Sequence, residues 1–167
     1  MTMLSAAEFL EVIAKTQLLE EDQKQEVARN QAAYPDARTL AQDLLRRDWL
    51  TPYQVNQLLQ GKAADLVMGQ YVLLERLGEG GMGQVFKARQ RNLQRIVALK
   101  VIRREFHANQ KALLRFQREM RAAGQLSHPN IVRAFDADQV GGCYFIAMEF
   151  VDGVDLGRLV KQQGPLL

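Results

Sequence analysis

The spacing of apolar side chains changes once along the chain and divides it into two regions. Over residues 5–60, apolar positions recur every three or four residues, which is the period of amphipathic helices. The pair Ser5 and Glu8 predicts a capping box at the start of the first helix. Three more helices are predicted at 20–33, 39–47 and 52–60, the last opened by Thr51-Pro52 and ended by Gly61.

A weak internal repeat lies inside this helical region, with a constant offset between its two copies. Five positions of the first copy match five of the second: Phe9, Ile13, Leu19, Gln23 and Val27 against Leu40, Leu44, Leu50, Gln54 and Leu58. One helical hairpin cannot bury its apolar face alone, so two hairpins are expected to pack as a small four-helix bundle. Duplication and coincidence both stay open, because any two amphipathic hairpins share this period.

After residue 70 the pattern becomes typical of strands, rich in valine, isoleucine, leucine and aromatic residues. Strands are predicted at 71–77, 85–89 and 96–102, a helix at 110–125, and two further strands at 131–137 and 143–150. Three strands, a helix and two strands indicate an antiparallel sheet with one packed helix, not alternating βαβ units. The fold class is therefore α+β, with a helical bundle at 1–61, a linker at 62–69 and a sheet domain at 70–167.

The composition excludes several kinds of partner and site but does not indicate one function. The chain is 47% hydrophobic and 25% charged, as globular proteins are, and its net charge of +3 is spread without a dense cationic run. Nucleic acid is therefore not an expected partner. The one cysteine, Cys143, excludes an internal disulfide and a multi-cysteine zinc site, and its apolar neighbours predict burial. The chain shows neither a membrane-spanning apolar segment nor a signal peptide, which predicts a cytoplasmic location.

The segment 78–85, Gly-Glu-Gly-Gly-Met-Gly-Gln-Val, is the strongest local motif. Glycines at this spacing let backbone N–H groups approach phosphate oxygens that a Cβ would keep away. A dinucleotide fingerprint and a simple glycine-rich turn share the spacing. However, a dinucleotide site needs a helix directly after the glycines and an acidic residue about 20 positions on. Here a strand follows, and that region offers Lys100 instead.

Lys100 lies in the predicted strand Val97-Ala98-Leu99-Lys100. Because side chains alternate along a strand, Ala98 and Lys100 point to the same face. The small Ala98 leaves room for a flat base, Lys100 can reach phosphates, and Val85 would close the pocket. A solvent-facing lysine is the alternative interpretation.

The helix at 110–125 offers a carboxylate for that lysine. Its apolar stripe, Leu113, Phe116, Met120 and Ala123, is expected to pack on the sheet. Glu119 lies at the edge of the stripe, where it could point inward to Lys100. A surface pair between Glu119 and Arg115 fits the periodicity equally well, so both arrangements stay open.

Together these segments resemble the N-terminal lobe of a bacterial, eukaryotic-like (Hanks-type) serine/threonine protein kinase. The glycine-rich loop, Val-Ala-Leu-Lys and the helix glutamate follow the order of that family. The segment 128–132 resembles its connection to the fourth strand, and 148–153 resembles its gatekeeper and hinge. The helical region is similar to the segment that precedes the kinase domain in planctomycete kinases.

The resemblance implies a role for each matching position. Gly78, Gly80 and Gly83 would cover the phosphates of ATP. Leu77, Val85 and Ala98 would line the adenine pocket. Lys100 would contact the α- and β-phosphates and pair with Glu119. The remaining positions form the hinge side of the site: Met148 as gatekeeper, the backbone of Glu149 and Val151 for adenine, and Asp155 for ribose.

The match ends before the catalytic loop and the magnesium-binding motif of the family, which are not found in residues 1–167. The expected cofactors are ATP and Mg²⁺, with the Mg²⁺ ligands beyond this chain and no metal site within it. These residues alone are not expected to transfer phosphate. The expected parent phosphorylates protein serine and threonine hydroxyls. The alternative is a pseudokinase or scaffold whose bundle binds a protein partner or self-associates.

Overall fold

The computed structural model describes residues 5–81, 83–102 and 110–165. Its N-terminal region contains four helices, as predicted: α1 (Ala6–Lys15), α2 (Glu21–Arg29), α3 (Ala37–Arg46) and α4 (Pro52–Leu59). The capping box of α1 is confirmed, because Ser5 Oγ accepts from the Glu8 N–H and Glu8 accepts from the Ser5 N–H. Asp36 is the N-cap of α3, which was not predicted from the sequence. Its carboxylate accepts from the Thr39 N–H at 2.7 Å, so α3 begins two residues earlier than predicted.

The second helix is shorter than predicted. It ends at Arg29, and Gln31–Ala33 tighten into a 3₁₀ turn before Tyr34 and Pro35. A residue that precedes proline is disfavoured in the helical region of backbone space, so a helix cannot continue through Tyr34.

The internal repeat is present in the structure. Helices α1 and α3 begin at Ala6 and Ala37, and helices α2 and α4 begin at Glu21 and Pro52. Both pairs of starts have the same separation, which is also the offset of the repeat in the sequence. The matched apolar positions of both copies lie in one core: Phe9, Ile13, Leu19, Val27, Leu40, Leu44, Leu50 and Leu58. The two copies therefore match in their helix starts and in the apolar positions that they bury.

A curled antiparallel sheet follows the helices. Its strands are β1 (Val67–Met68), β2 (Tyr71–Glu79), β3 (Gly83–Gln90), β4 (Arg95–Ile102), β5 (Ala134–Val140) and β6 (Cys143–Glu149), in the order β1-β2-β3-β4-β6-β5. Helix α5 (Gln110–Gln125) lies between β4 and β5 in the chain, and α6 (Leu156–Gln163) is the last element that the structure describes. The α+β class is confirmed, with the two-residue β1 added to the five predicted strands.

The curl is fixed by contacts between strands far apart in the sheet order. Tyr71 on β2 donates a hydrogen bond to Asp136 on β5 at 2.8 Å, and its ring packs edge-on against Phe145. The side chains enclosed by the curl form one core, which includes Leu73, Phe86, Leu99 and the buried Cys143. Strand β5 starts three residues later than predicted, because the Ile131 N–H closes a turn onto the His128 carbonyl.

The segment 62–69, predicted as a linker, is part of the packed structure. Ala63–Leu66 form a 3₁₀ turn, and Val67 pairs with Val72 on β2. Leu66 is fully buried in the helical core, which also takes in Val72 from the sheet. The division of the chain into a helical domain and a sheet domain stays a prediction. Among the described helices, none is both long and apolar enough to cross a bilayer.

Candidate nucleotide-binding site

The centre of the site is an ion pair between the sheet and α5. Lys100 on β4 lies opposite Val85 on β3 and Ile146 on β6. Helix α5 packs on this face because Phe116, which is fully buried, contacts Ile146. The Nζ atom of Lys100 is 2.6 Å from Oε2 of Glu119, and the two side chains are 28% and 36% exposed. Of the two arrangements that the periodicity allowed, the structure shows the inward one.

The strand register places three further residues of the predicted nucleotide site beside Lys100. Ala98 lies two residues before Lys100 on the same face of β4, and Met148 on β6 is directly opposite Ala98. Val85 is directly opposite Lys100 on β3. All four side chains are partly accessible, whereas the intervening Leu99 points into the sheet core. The result is a partly accessible surface with an apolar part around Ala98 and the Lys100 cation at one end.

The glycines of the loop differ in what a side chain would meet at each position. A Cβ built on Gly83 would lie 2.2 Å from the Val101 carbonyl oxygen, so β3 and β4 approach there too closely for any side chain. A Cβ on Gly78 or Gly80 would meet no atom within 4 Å. The Gly80 N–H donates to the Gly83 carbonyl at 2.9 Å and closes the hairpin. Position 83 therefore requires glycine because the backbones of β3 and β4 are close together there. At Gly78 and Gly80 the space that a side chain would fill is open.

The hinge side of the predicted site is more exposed. The Glu149 N–H donates to the Arg133 carbonyl at 2.8 Å, and Val151 is 61% exposed. Asp155 is the N-cap of α6, where its carboxylate accepts from the Arg158 N–H at 2.8 Å. Within the described residues, this hydrogen bond ties Asp155 to its own helix. Leu77, predicted to line the adenine pocket, is 43% exposed on β2.

Sequence reasoning missed two contributors to this surface. Ile146 is buried opposite Lys100 and lies under the pair with Glu119. Lys87 lies on the same face of β3 as Val85, and its Nζ is 4.7 Å from the ring centroid of Phe150 in the hinge. The alternation of β3 could have placed Lys87 on this face, but its partner comes from a segment far along the chain, beyond β6.

Comparison with known proteins decides the family. A family model described as protein kinase domain matches residues 71–167, which is more than half of the chain. The chain belongs to the protein kinase family. Its similarity to a serine/threonine-protein kinase, pkn3 of Myxococcus xanthus, is 46% identity over 91 residues, covering 54% of this chain and 17% of that protein. Similarity to PknD of Mycobacterium tuberculosis is 43% over 98 residues, covering 59% and 15%.

Solved structures agree with the sequence relatives. The kinase domain of PknI from Mycobacterium tuberculosis aligns with a TM-score of 0.52 and 31% identity, over 60% of this chain and 41% of that one. These matches confirm the resemblance to a bacterial Hanks-type kinase lobe. The chain spans less than a fifth of the length of the curated relatives named here. The likeness of the helical region to planctomycete kinases and the role of each site residue stay predictions.

Proposed function

We propose that residues 71–165 form the ATP-binding lobe of a cytoplasmic serine/threonine protein kinase. The protein that contains this lobe would transfer the γ-phosphoryl group of ATP to serine and threonine hydroxyls of protein substrates. The observation that carries the proposal is the 2.6 Å pair between Lys100 and Glu119. A kinase needs this lysine held by a helix glutamate to bind phosphates.

The residues present fit a nucleoside triphosphate. The ammonium group of Lys100 provides a cation next to the apolar surface of Ala98 and Val85, which suits phosphates beside a flat base. The open space at Gly78 and Gly80 lets backbone approach the phosphates. Bound ATP would supply the phosphoryl group, with Mg²⁺ neutralising phosphate charge. The residues expected to hold Mg²⁺ are outside residues 1–167.

Glu119 gives Lys100 its direction. A lysine side chain has four rotatable bonds and, without a partner, would sample many orientations in water. The carboxylate on α5 holds the ammonium group over the sheet at the position opposite Ile146. Both members of the pair are intact and in contact, which favours the kinase over the scaffold alternative.

Self-association through the helical bundle is part of the proposal and is tested by sedimentation of the purified protein.

The test compares phosphorylation of a protein substrate by the full-length protein and its Lys100→Met variant. We expect activity to fall by about 10²- to 10³-fold, because a preorganised charge at the transferring phosphates is lost. Lys111→Met is the matched control, since Lys111 is an exposed lysine on the helix that carries Glu119. Equal activity of Lys100→Met and Lys111→Met would refute the role of Lys100.

A further inference from the structure

Strand β2 carries two irregularities just before the glycine-rich loop. Leu73 pairs with Ala88 on β3, but the next pair joins Glu75 to Lys87, so Leu74 has no opposite residue. The same shift recurs at Leu77. Each is a β-bulge, where the ladder is interrupted and the extra residue is left unpaired by the neighbouring strand. Between the bulges only Glu75 and Arg76 are paired to β3, so β3 by itself holds this segment weakly.

Helix α4 of the bundle supplies contacts at the first bulge. The Thr51 hydroxyl donates to the Leu74 carbonyl at 2.5 Å, and the Gln54 Nε2 donates to the Leu73 carbonyl at 2.8 Å. The edge strand β1 pairs only with Tyr71 and Val72. The carbonyls of the two residues that follow instead accept from Gln54 on α4 and from Thr51, the N-cap of that helix.

These two side chains have a fixed orientation because they also cap α4. Thr51 Oγ1 accepts from the Gln54 N–H at 3.2 Å, while Gln54 Oε1 accepts from the Thr51 N–H at 2.9 Å. The amide of Gln54 thus uses its oxygen for the cap and its nitrogen for the sheet. Gln54 is 2% exposed, and a buried amide is costly to leave without partners. The hydrogen bonds that cap α4 and those that bind the bulge therefore form one network through Thr51 and Gln54.

We propose that Thr51 and Gln54 are positioning residues of the glycine-rich loop. By fixing the bulge at Leu74, they set the path of β2 toward Gly78, which follows a short way along the same strand. The helical bundle then acts on the nucleotide site through β2 and is more than an appended module. The consequence for ATP affinity rests on the proposed function, whereas the consequence for loop order does not.

The first repeat of the bundle provides a matched control. Gln23 occupies the position equivalent to Gln54 in the first copy, and its Oε1 accepts from the Glu20 N–H at 3.0 Å as a cap. Gln23 is half-buried on α2, while Gln54 lies against β2. Replacing either glutamine by methionine removes one helix cap. Only the replacement at 54 also removes the donor to the sheet.

The test measures amide hydrogen exchange of the full-length protein without nucleotide. In Gln54→Met, exchange in residues 75–81 should be roughly three- to tenfold faster than in Gln23→Met, the factor expected for one hydrogen bond. Thr51→Val should accelerate the same residues, and Thr51→Ser, which keeps the hydroxyl, should restore protection. Should Gln54→Met fail to fold, the two Thr51 variants decide the question by the same comparison.

The second measurement is the affinity for a fluorescent ATP analogue. We expect the Kd to rise by roughly three- to tenfold in Gln54→Met or Thr51→Val, with kcat at saturating ATP unchanged and Gln23→Met equal to the parent. Equal exchange in residues 75–81 for the variants at 54 and 23, or equal acceleration over the whole sheet, would overturn the positioning role. A parent that binds no ATP would refute the proposed function, and the exchange comparison would still judge the positioning role.

Discussion

Replacing Gly83 by alanine tests the distinction between the glycines of the loop. The new Cβ would lie 2.2 Å from the Val101 carbonyl oxygen, 3.1 Å from the carbonyl carbon and 3.4 Å from the Ile102 Cα. The first distance is far shorter than an ordinary van der Waals contact, and the atoms that the Cβ meets are backbone. Strand β3 or β4 must therefore move, and the end of their ladder, where Gly83 pairs with Ile102, must open.

The expected cost follows from this collision. Forcing one extra carbon into a packed site destabilises proteins by about 1 to 3 kcal/mol, and we expect about 2 kcal/mol here because neither strand can yield by rotating a side chain. For a chain of 167 residues, in which 1 kcal/mol corresponds to roughly 2 to 4 °C, a loss of about 2 kcal/mol lowers the melting temperature by roughly 4 to 8 °C.

Gly80→Ala is the control, because its Cβ would meet nothing within 4 Å. The free energy of unfolding of this variant should stay within about 0.5 kcal/mol of the parent, as for most exposed substitutions. Its ATP affinity should still fall, since the methyl group occupies space proposed for phosphate. Urea unfolding followed by circular dichroism measures both variants. If Gly83→Ala unfolds at the same urea concentration as Gly80→Ala, the close approach of β3 and β4 is not what requires glycine.

Two further predictions concern charged groups. A double-mutant cycle with Lys100→Met and Glu119→Gln should give a coupling of about 0.5 to 1 kcal/mol in unfolding free energy, because both side chains are about one-third exposed and screened by water; a coupling above about 2 kcal/mol would show a desolvated pair. In the bundle, burial acts to raise the pKa of Asp43, but hydrogen bonds from Tyr34 and Arg46 and the charge of Arg47 outweigh it and lower that pKa overall. A lowered folded-state pKa gives stability that is present above the unfolded value of about 4 and is lost as the pH falls below it. Asp43→Asn should therefore flatten the acid side of the stability profile measured by urea unfolding between pH 2 and 7, and an unchanged slope would contradict the assignment.

Local signals explain how much of the fold could be predicted. The capping box of Ser5 and Glu8 and the Thr51-Pro52 start of α4 join residues one to three positions apart, so the chain shows them without any tertiary contact. The strands of the sheet also appeared as short runs of β-branched and aromatic residues. Boundaries were less accurate where a single cap or turn decides them, as at Asp36 and at the turn closed by Ile131.

The candidate site was predicted in its parts rather than in its arrangement. Ala98, Lys100 and the glycines could be identified from spacing, because alternation along one strand fixes which side chains share a face. The contribution of Ile146 could not, since it depends on β6 pairing with β4, a strand distant in the chain. The roles of Asp155 and Val151 toward a nucleotide stay predictions.

By itself, the sequence determined the helical and strand periods and the motifs that indicate a kinase lobe, while it left the internal repeat of the helical region open. Only the tertiary structure decided that Glu119 turns to Lys100, because both of its arrangements satisfy the same helical period. It also decided that Gly83 is required by the Val101 backbone and that α4 completes β2 at its bulge. These contacts join residues distant in the chain, so packing selects them and local propensity alone does not.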